Sequence, residues 1–171
     1  MKAIKINSSK ISPKINKKKL KWATNFLQSK IKKNIYLNNK KVECILIDKN
    51  SLNIEKFKKI YFKNDVEESF SINSIQNNFK KVLIYGHDTR GLIYAITEIA
   101  DRIENLTTKK NNLKNIFYTT TESPKTKIRS ISKCFQSDIE DLNWFYNKTM
   151  WKEYLDMLVS NRFNRFTFTL G

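Results

Sequence analysis

The chain has 171 residues, a formal charge of +17 and 40% hydrophobic residues, including 11 Phe, 7 Tyr and 3 Trp. That apolar and aromatic share is enough for a packed core, which excludes a disordered tail, and no apolar run is long enough to cross a bilayer. The length sets an expectation of one domain plus part of another.

The charge is unevenly spread. Residues 1–63 hold 18 Lys against Glu43, Asp48 and Glu55, so a net +15 lies there. Of 33 basic residues, 28 are Lys and 5 are Arg, and Asn occurs 20 times. A lysine face can hold phosphates without sequence preference. Arginine, the usual reader of base edges, is scarce, and no nucleic-acid motif is present. Solvated lysines from the codon bias of an AT-rich genome are the simpler account. A lysine-rich domain that binds nucleic acid or an anionic surface stays as the alternative. The first ten residues have the charge of a leader without its apolar segment, which sets the expectation of a cytoplasmic chain.

In chain order, Ala3–Ile6 reads as a short strand. From Lys18 to Ile31, the spacing of Leu20, Ala23, Phe26, Leu27 and Ile31 predicts a helix with Trp22 at its rim. Asn38-Asn39 breaks the pattern and Val42–Ile47 reads as a strand. Residues 48–64 are lysine-rich and predict a short helix or loop around Phe57 and Ile60. Glu68–Ile72 alternates as a half-exposed strand does, and Asn73–Asn78 turns.

Residues 81–104 give the clearest pattern. Val82–Tyr85 is a short apolar run that predicts a buried strand returning beside the previous one. Leu92, Ile93, Ile96, Ile99, Ala100 and Ile103 share one helix face. Asp88 or Thr89 fits the N-cap, and Glu98 precedes Arg102 by one turn in the favourable order. A strand, a glycine turn and a helix raise the question of phosphate binding. No Lys-Ser or Lys-Thr follows Gly86 and Gly91, and the three-glycine dinucleotide fingerprint is absent. We expect Gly86 to supply a positive φ at the strand exit, and Gly91 to let the helix start close to the sheet.

Two helices on a small mixed sheet make an α+β domain over residues 1–106. Residues 107–127 have linker composition, with Ile116–Tyr118 as a candidate edge strand and Pro124 near its end. Over residues 128–171 the pattern changes. Ile128–Phe135 reads as a strand, and Ser137 with Glu140 makes a capping box that opens a short helix. Trp144, Phe145 and Tyr146 form an aromatic cluster. A second helix starts near Thr149 with Trp151, Tyr154, Leu155 and Leu158 on one face, and Arg165–Leu170 alternates as a strand. Such a βαβ unit has parallel strands, and alone it has open sheet edges and too little core.

Catalytic residues are not evident. Cys44 and Cys134 lie far apart in strand-like contexts and read as reduced core thiols. His87 is the only histidine; beside Asp88 in a turn expected to be exposed, it is too isolated for a metal site, and any Ser-His or Cys-His chemistry has to recruit it. We expect no metal and no organic cofactor. Asp138, Glu140 and Asp141 are accounted for by a cap and a first helical turn.

Two stretches carry a family resemblance. Glu-Ser-Phe-Ser-Ile at 68–72, followed by Val-Leu-Ile-Tyr-Gly-His-Asp-Thr-Arg-Gly-Leu-Ile-Tyr-Ala-Ile-Thr-Glu-Ile-Ala-Asp-Arg-Ile at 82–103, resembles the amino-terminal non-catalytic domain of β-N-acetylhexosaminidases and α-glucuronidases. Residues 151–166, Trp-Lys-Glu-Tyr-Leu-Asp-Met-Leu-Val-Ser-Asn-Arg-Phe-Asn-Arg-Phe, resemble the first helix of their (β/α)8 barrel running into its second strand. The resemblance implies an accessory α+β domain followed by the first βαβ unit of a truncated TIM barrel. It implies an oligosaccharide or glycoside as the substrate of the whole enzyme, with no membrane partner. It also carries over Arg129 as a contact to the terminal sugar, a role that competes with that of a strand-end arginine. The family's barrels open with Arg-Gly and a nearby Asp, whereas Ser130 follows Arg129 here and Cys134 takes the Asp position. Phe135, Gln136, Ser137 and Asp138 follow the first strand and would lie at the carboxyl face, where active sites of that fold form. The family's catalytic carboxylates come from later strands. Only 44 residues follow Lys127, against about 250 in a full barrel, so we expect the chain itself to be non-catalytic.

Overall fold

The computed structural model describes residues 4–34, 37, 41–51, 66–75, 79–106 and 113–171. It divides into two compact units, Met1–Pro124 and Lys125–Gly171. The breaks expected at Asn38-Asn39 and at Asn73–Asn78 lie partly or wholly outside the described residues, as does most of the 48–64 segment.

Unit 1 is built on a five-stranded mixed sheet. Its strands are β1 (Ile4–Asn7), β2 (Val42–Asp48), β3 (Phe70–Ser74), β4 (Lys81–Gly86) and β5 (Thr120–Glu122), in the spatial order β1-β2-β4-β3-β5. The strands β1, β2 and β4 run parallel, and β3 runs antiparallel to both β4 and β5. Helices α1 (Lys17–Lys33) and α2 (Thr89–Glu104) pack against each other, and α2 lies on β4. A one-turn helix α3 (Leu113–Ile116) leads towards β5.

Helices α1 and α2 begin where a side chain can satisfy their open amides. Asn16 Oδ1 accepts from Lys19 N at 3.0 Å, and Asp88 Oδ1 accepts from Gly91 N at 2.9 Å. Thr89, the other expected cap, instead accepts from Asn16 N at 3.0 Å and so joins the starts of the two helices. The α1 stripe is buried at Leu20, Ala23, Leu27 and Ile31, while Trp22 stacks on Phe26 at its edge. Helix α2 is buried well beyond its apolar stripe, down to Thr97 and Arg102.

The expected role of Gly86 is corrected: no glycine has a positive φ. What the turn requires is space. A Cβ on Gly86 would overlap the backbone of Leu92, and one on Gly91 would overlap the carbonyl oxygen of Ser69. Strand, turn and helix are thus packed backbone to backbone.

Strand β3 is also more buried than its alternation suggested, because it lies inside the sheet between β4 and β5. Ser71 and Asn73 are buried with Phe70 and Ile72, and Asn73 Nδ2 donates to Ser71 Oγ at 3.1 Å. In register they face Tyr85 and Leu83, which form an apolar cluster with Ile47. The edge strand expected at 116–118 lies at Thr120–Glu122, inside the segment whose composition suggested a linker.

Arg102 secures that edge. Its Nε bonds Glu98 Oε1 at 2.9 Å, Nη1 donates to the carbonyls of Ile116 and Tyr118, and Nη2 donates to Thr120 Oγ1 at 2.6 Å. The guanidinium also stacks 3.6 Å from the Tyr118 ring centroid.

Unit 2 contains β6 (Ser130–Phe135), α4 (Asp138–Phe145), α5 (Lys148–Ser160) and β7 (Arg165–Leu170). The two strands pair in parallel from Ser130 opposite Arg165 to Phe135 opposite Leu170. The helices cover one face of this pair. Phe135 and Phe168 meet Phe145 and Trp144, Phe166 and Phe168 meet Trp151, and the Lys133 ammonium lies 3.8 Å from the Trp144 centroid. Ser132, Cys134, Thr167 and Thr169 alternate onto the other face and are exposed. Cys134 is therefore a surface thiol and not a core one.

Two substitutions test the packing. Gly91→Ala is expected to destabilise unit 1 by about 3 kcal/mol, the upper end for overpacking, because the group it meets is backbone. Arg102→Ala is expected to remove about 3 kcal/mol and expose Thr120–Glu122, with Arg102→Lys recovering only part. Thermal and urea unfolding followed by amide exchange would measure both.

Candidate functional site

The carboxyl end of β6 is where the resemblance directs the search for a site. Ser137 caps α4 by accepting from Glu140 N at 3.2 Å. Asp141 folds back under the same turn: Oδ2 accepts from Gln136 N at 2.6 Å and Ser137 N at 3.2 Å, and Oδ1 accepts from Trp144 Nε1 at 2.7 Å. The bond from the Gln136 amide is the main cause that holds the Asp141 carboxyl below the ordinary carboxylate value, and Ser137, Trp144 and Lys133 add to it. A general acid needs the opposite shift. Asp141 is thus an ionised acceptor that builds the turn. Asp138 and Glu140 share the first turn of α4, where the helix dipole favours acids.

Arg129 lies at the other end of β6. Its N donates to Asn164 Oδ1 at 3.0 Å, Nε to the Arg162 carbonyl at 2.7 Å, and Nη1 to the Thr126 carbonyl at 2.8 Å. Arg162 has φ 64°, and the turn after α5 closes with Phe163 N to Leu158 O and Arg162 N to Val159 O, both 2.9 Å. That double bond with a left-handed residue is a Schellman ending, here with arginine where glycine is usual. Arg129 latches the turn that feeds β7. Six residues of strand, roughly 20 Å, separate it from residues 135–138, so the two sets of candidate residues are not brought together.

In unit 1 the carboxyl ends of β2 and β4 carry a buried polar cluster. Asp48 accepts from Ser12 N and Ser12 Oγ, each at 2.7 Å, from Ser51 Oγ at 2.8 Å and from Asn50 N at 3.1 Å. Burial pushes its carboxyl upward, but the combined bonds from Ser12, Ser51 and Asn50 outweigh burial and hold it below the ordinary value. His87, expected in an exposed turn, is buried at 5% exposure, because its turn is covered by the 66–69 and 49 segments. Lys49 Nζ lies 3.0 Å from its Nε2, and its N donates to Ser69 O at 2.9 Å. Asp88 Oδ2 accepts from Glu68 N at 3.0 Å, and Glu68 Oε1 accepts from Arg90 at 2.7 Å. These bonds tie loops together. The Cys44 thiol, fully buried, is pushed up to about 12 by burial and then by Glu43, and is inert at neutral pH.

Among the described residues no three His, Cys, Asp or Glu side chains group as metal ligands, and no helix is long and apolar enough to cross a membrane. The expected pairing of Glu98 with Arg102 is present, and Asp141 lies in the first turn as expected, but the bonds of Asp48, those of Asp141 to Gln136, Ser137 and Trp144, and those of Arg102 to the 116–120 segment were not read from the sequence. Asp48 ends a strand three residues before Ser51, a turn signal that could have marked it. The partners of Asp141 and Arg102 include backbone groups, which leave no trace in residue identity.

No protein-family model and no curated protein sequence matches the chain. Solved structures do share its fold. One is a GH138 enzyme described as targeting pectin rhamnogalacturonan II, with a TM-score of 0.65 and 21% identity over 96% of this chain. Another is a GH115 4-O-methyl-α-glucuronidase described as specific for decorated arabinogalactans, with a TM-score of 0.65 and 13% identity over 97% of this chain. The chain spans 18% and 25% of their lengths. The expected glycoside-hydrolase resemblance thus holds at the level of fold, for a mixed α/β architecture.

Asp48 gives a prediction with a defined sign. A carboxyl whose folded pKa is depressed stabilises the protein above its unfolded pKa, and that contribution is lost as pH falls through the lower folded value. Asp48→Asn should therefore destabilise unit 1 by about 1–3 kcal/mol at pH 7. It should also flatten the acid limb of stability below the ordinary carboxylate range, as measured by urea unfolding across pH.

Proposed function

We propose that this chain is the amino-terminal part of a carbohydrate-active enzyme that hydrolyses O-glycosyl bonds, and that it is non-catalytic by itself. Unit 1 is then the accessory α/β domain, extending to Pro124 through β5, and Lys125–Gly171 is the opening βαβ unit of a (β/α)8 barrel. The observation that carries the reading is that nearly the whole chain shares its fold with a small portion of two glycoside hydrolases. The form of unit 2 supports it. A parallel strand pair covered by helices on one face only is a piece of a sheet that such folds bury on both faces. Its exposed apolar residues include Ile139, Leu142, Tyr146, Leu155, Met157 and Leu170.

In this reading the substrate is an oligosaccharide or glycoside held by the complete barrel. The paired carboxyl groups that glycoside hydrolysis requires come from strands beyond β7. The family resemblance implies a sugar contact for Arg129. Its bonds to Thr126, Arg162 and Asn164 favour the latch role at the amino end, the end of a barrel associated with stability.

The test has two arms. The purified 171-residue chain should give no turnover of aryl glycosides, and its native coding DNA should continue past codon 171 into strand–helix repeats with paired carboxylates. Turnover that is lost on Asp138→Ala, or a stop codon directly after Gly171, would overturn the proposal.

A further inference from the structure

We propose that the outer face of α1 in unit 1 is a docking surface for an anionic lipid bilayer. The proposal goes beyond the hydrolase reading, whose family resemblance implies no membrane partner, and it stands on a different element. Residues 10–33 contain nine Lys and no Asp or Glu. Helix α1 carries seven of these lysines, and Lys17, Lys18, Lys19, Lys21, Lys32 and Lys33 are exposed. Codon bias decides which basic residue is used, but it does not remove acids. Helix α5 of the same chain balances Lys148 and Lys152 with Glu153 and Asp156. On α1 nothing balances the charge. Lys17, Lys18 and Lys19 even fill its first turn, where the helix dipole disfavours cations. An anionic partner along this face relieves that repulsion.

Two aromatic rings decide between anionic partners. Spacings of three and four place Lys18, Lys19, Trp22, Phe26, Lys30 and Lys33 along one face, about 22 Å from end to end. Leu20, Ala23, Leu27 and Ile31 take the core side, and Trp22 and Phe26 stay half-buried at the solvent edge. Their rings stack with centroids 5.6 Å apart and planes 19° from parallel, and the Lys30 ammonium lies 5.2 Å from the Phe26 centroid. The stack and the ammonium take up ring faces on which a nucleic-acid base would lie. Lys30 pairs with Glu104, so the charge open to a partner on this face comes from Lys18, Lys19 and Lys33. A bilayer offers what duplex DNA and free phosphate do not: anionic headgroups over an interfacial layer that suits the amphipathic Trp ring. Lysines beside aromatic residues on a helix lying along a surface are the pattern of peripheral anionic-lipid binding. The buried stripe of α1 stays packed in unit 1, so the contact is made by the outer face of the folded helix.

The experiment is co-sedimentation of the 171-residue chain with phosphatidylcholine vesicles, with and without phosphatidylglycerol. The chain should bind only the vesicles that contain phosphatidylglycerol, and salt should release it. Lys18→Ala/Lys19→Ala/Lys33→Ala should weaken binding by roughly tenfold or more. Lys5→Ala/Lys41→Ala/Lys80→Ala removes three exposed lysines elsewhere in unit 1 and should weaken it by a clearly smaller factor. Trp22→Ala should weaken binding without changing its salt dependence, and should abolish the blue shift of tryptophan emission that binding produces. Unfolding curves check that each variant is folded. The two lysine variants change only exposed side chains and decide the question by themselves if Trp22→Ala does not fold. Absence of binding, equal binding to both kinds of vesicle or equal losses in the two lysine variants would overturn the proposal. Binding of single-stranded DNA, but not of vesicles, that depends on Trp22 would also overturn it and assign the face to nucleic acid.

Discussion

The closeness of β4 to the start of α2 governs unit 1. Gly86 and Gly91 leave no room for a Cβ, so strand, turn and helix meet through their backbones, and the direction of α2 follows. Asp88 fixes the same turn twice, capping α2 with one oxygen and accepting from Glu68 N with the other. The amide of His87 reaches Ser69 in the segment that enters β3. Everything further out depends on this placement. Thr89 receives the start of α1 through Asn16, and Arg102, near the far end of α2, holds the approach to β5. Two small residues thus set the position of two helices and an edge strand.

Unit 2 is organised on a different principle. Its core is a set of edge-to-face aromatic contacts among Trp144, Phe145, Trp151, Phe166 and Phe168, all on one side of a two-stranded sheet. Such contacts add to area burial but bury few side chains fully; Leu158 is the only fully buried apolar residue of this unit. Ile139 is 94% exposed, Tyr146 72% and Leu170 68%. Parallel strands in known folds are covered on both faces, and here one face carries only Ser, Thr and Cys side chains beside Arg165. The open face and exposed apolar residues of this unit, set beside the fold similarity, are what support the proposal that it opens a barrel.

Periodicity made much of this legible. The α2 stripe, the β4 run, the Ser137 cap and the alternation of Phe166 and Phe168 each follow from spacing, and each lies where spacing puts it. What escaped were features that depend on neighbours distant in sequence. Strand β3 looked half-exposed because Ser71 and Asn73 are polar, and only their mutual bond and the facing Tyr85 and Leu83 make them core residues. Cys134 and His87 exchanged their expected environments for the same reason. The candidate site was less legible still: Arg129 makes its side-chain bonds to carbonyls, and Asp141 accepts from the backbone amides of Gln136 and Ser137.

The central claim is that Lys125–Gly171 is a piece of a larger barrel and that Met1–Pro124 is a domain in its own right. Hydrogen exchange on the 171-residue chain, read amide by amide, tests it most directly. The account predicts strong protection through β4 and α2, and exchange through β6 and β7 that is faster by orders of magnitude, because exchange follows the free energy of local opening. Equal protection in both units, lost in a single transition as denaturant is added, would mean that the second unit needs no further strands, and would contradict the account.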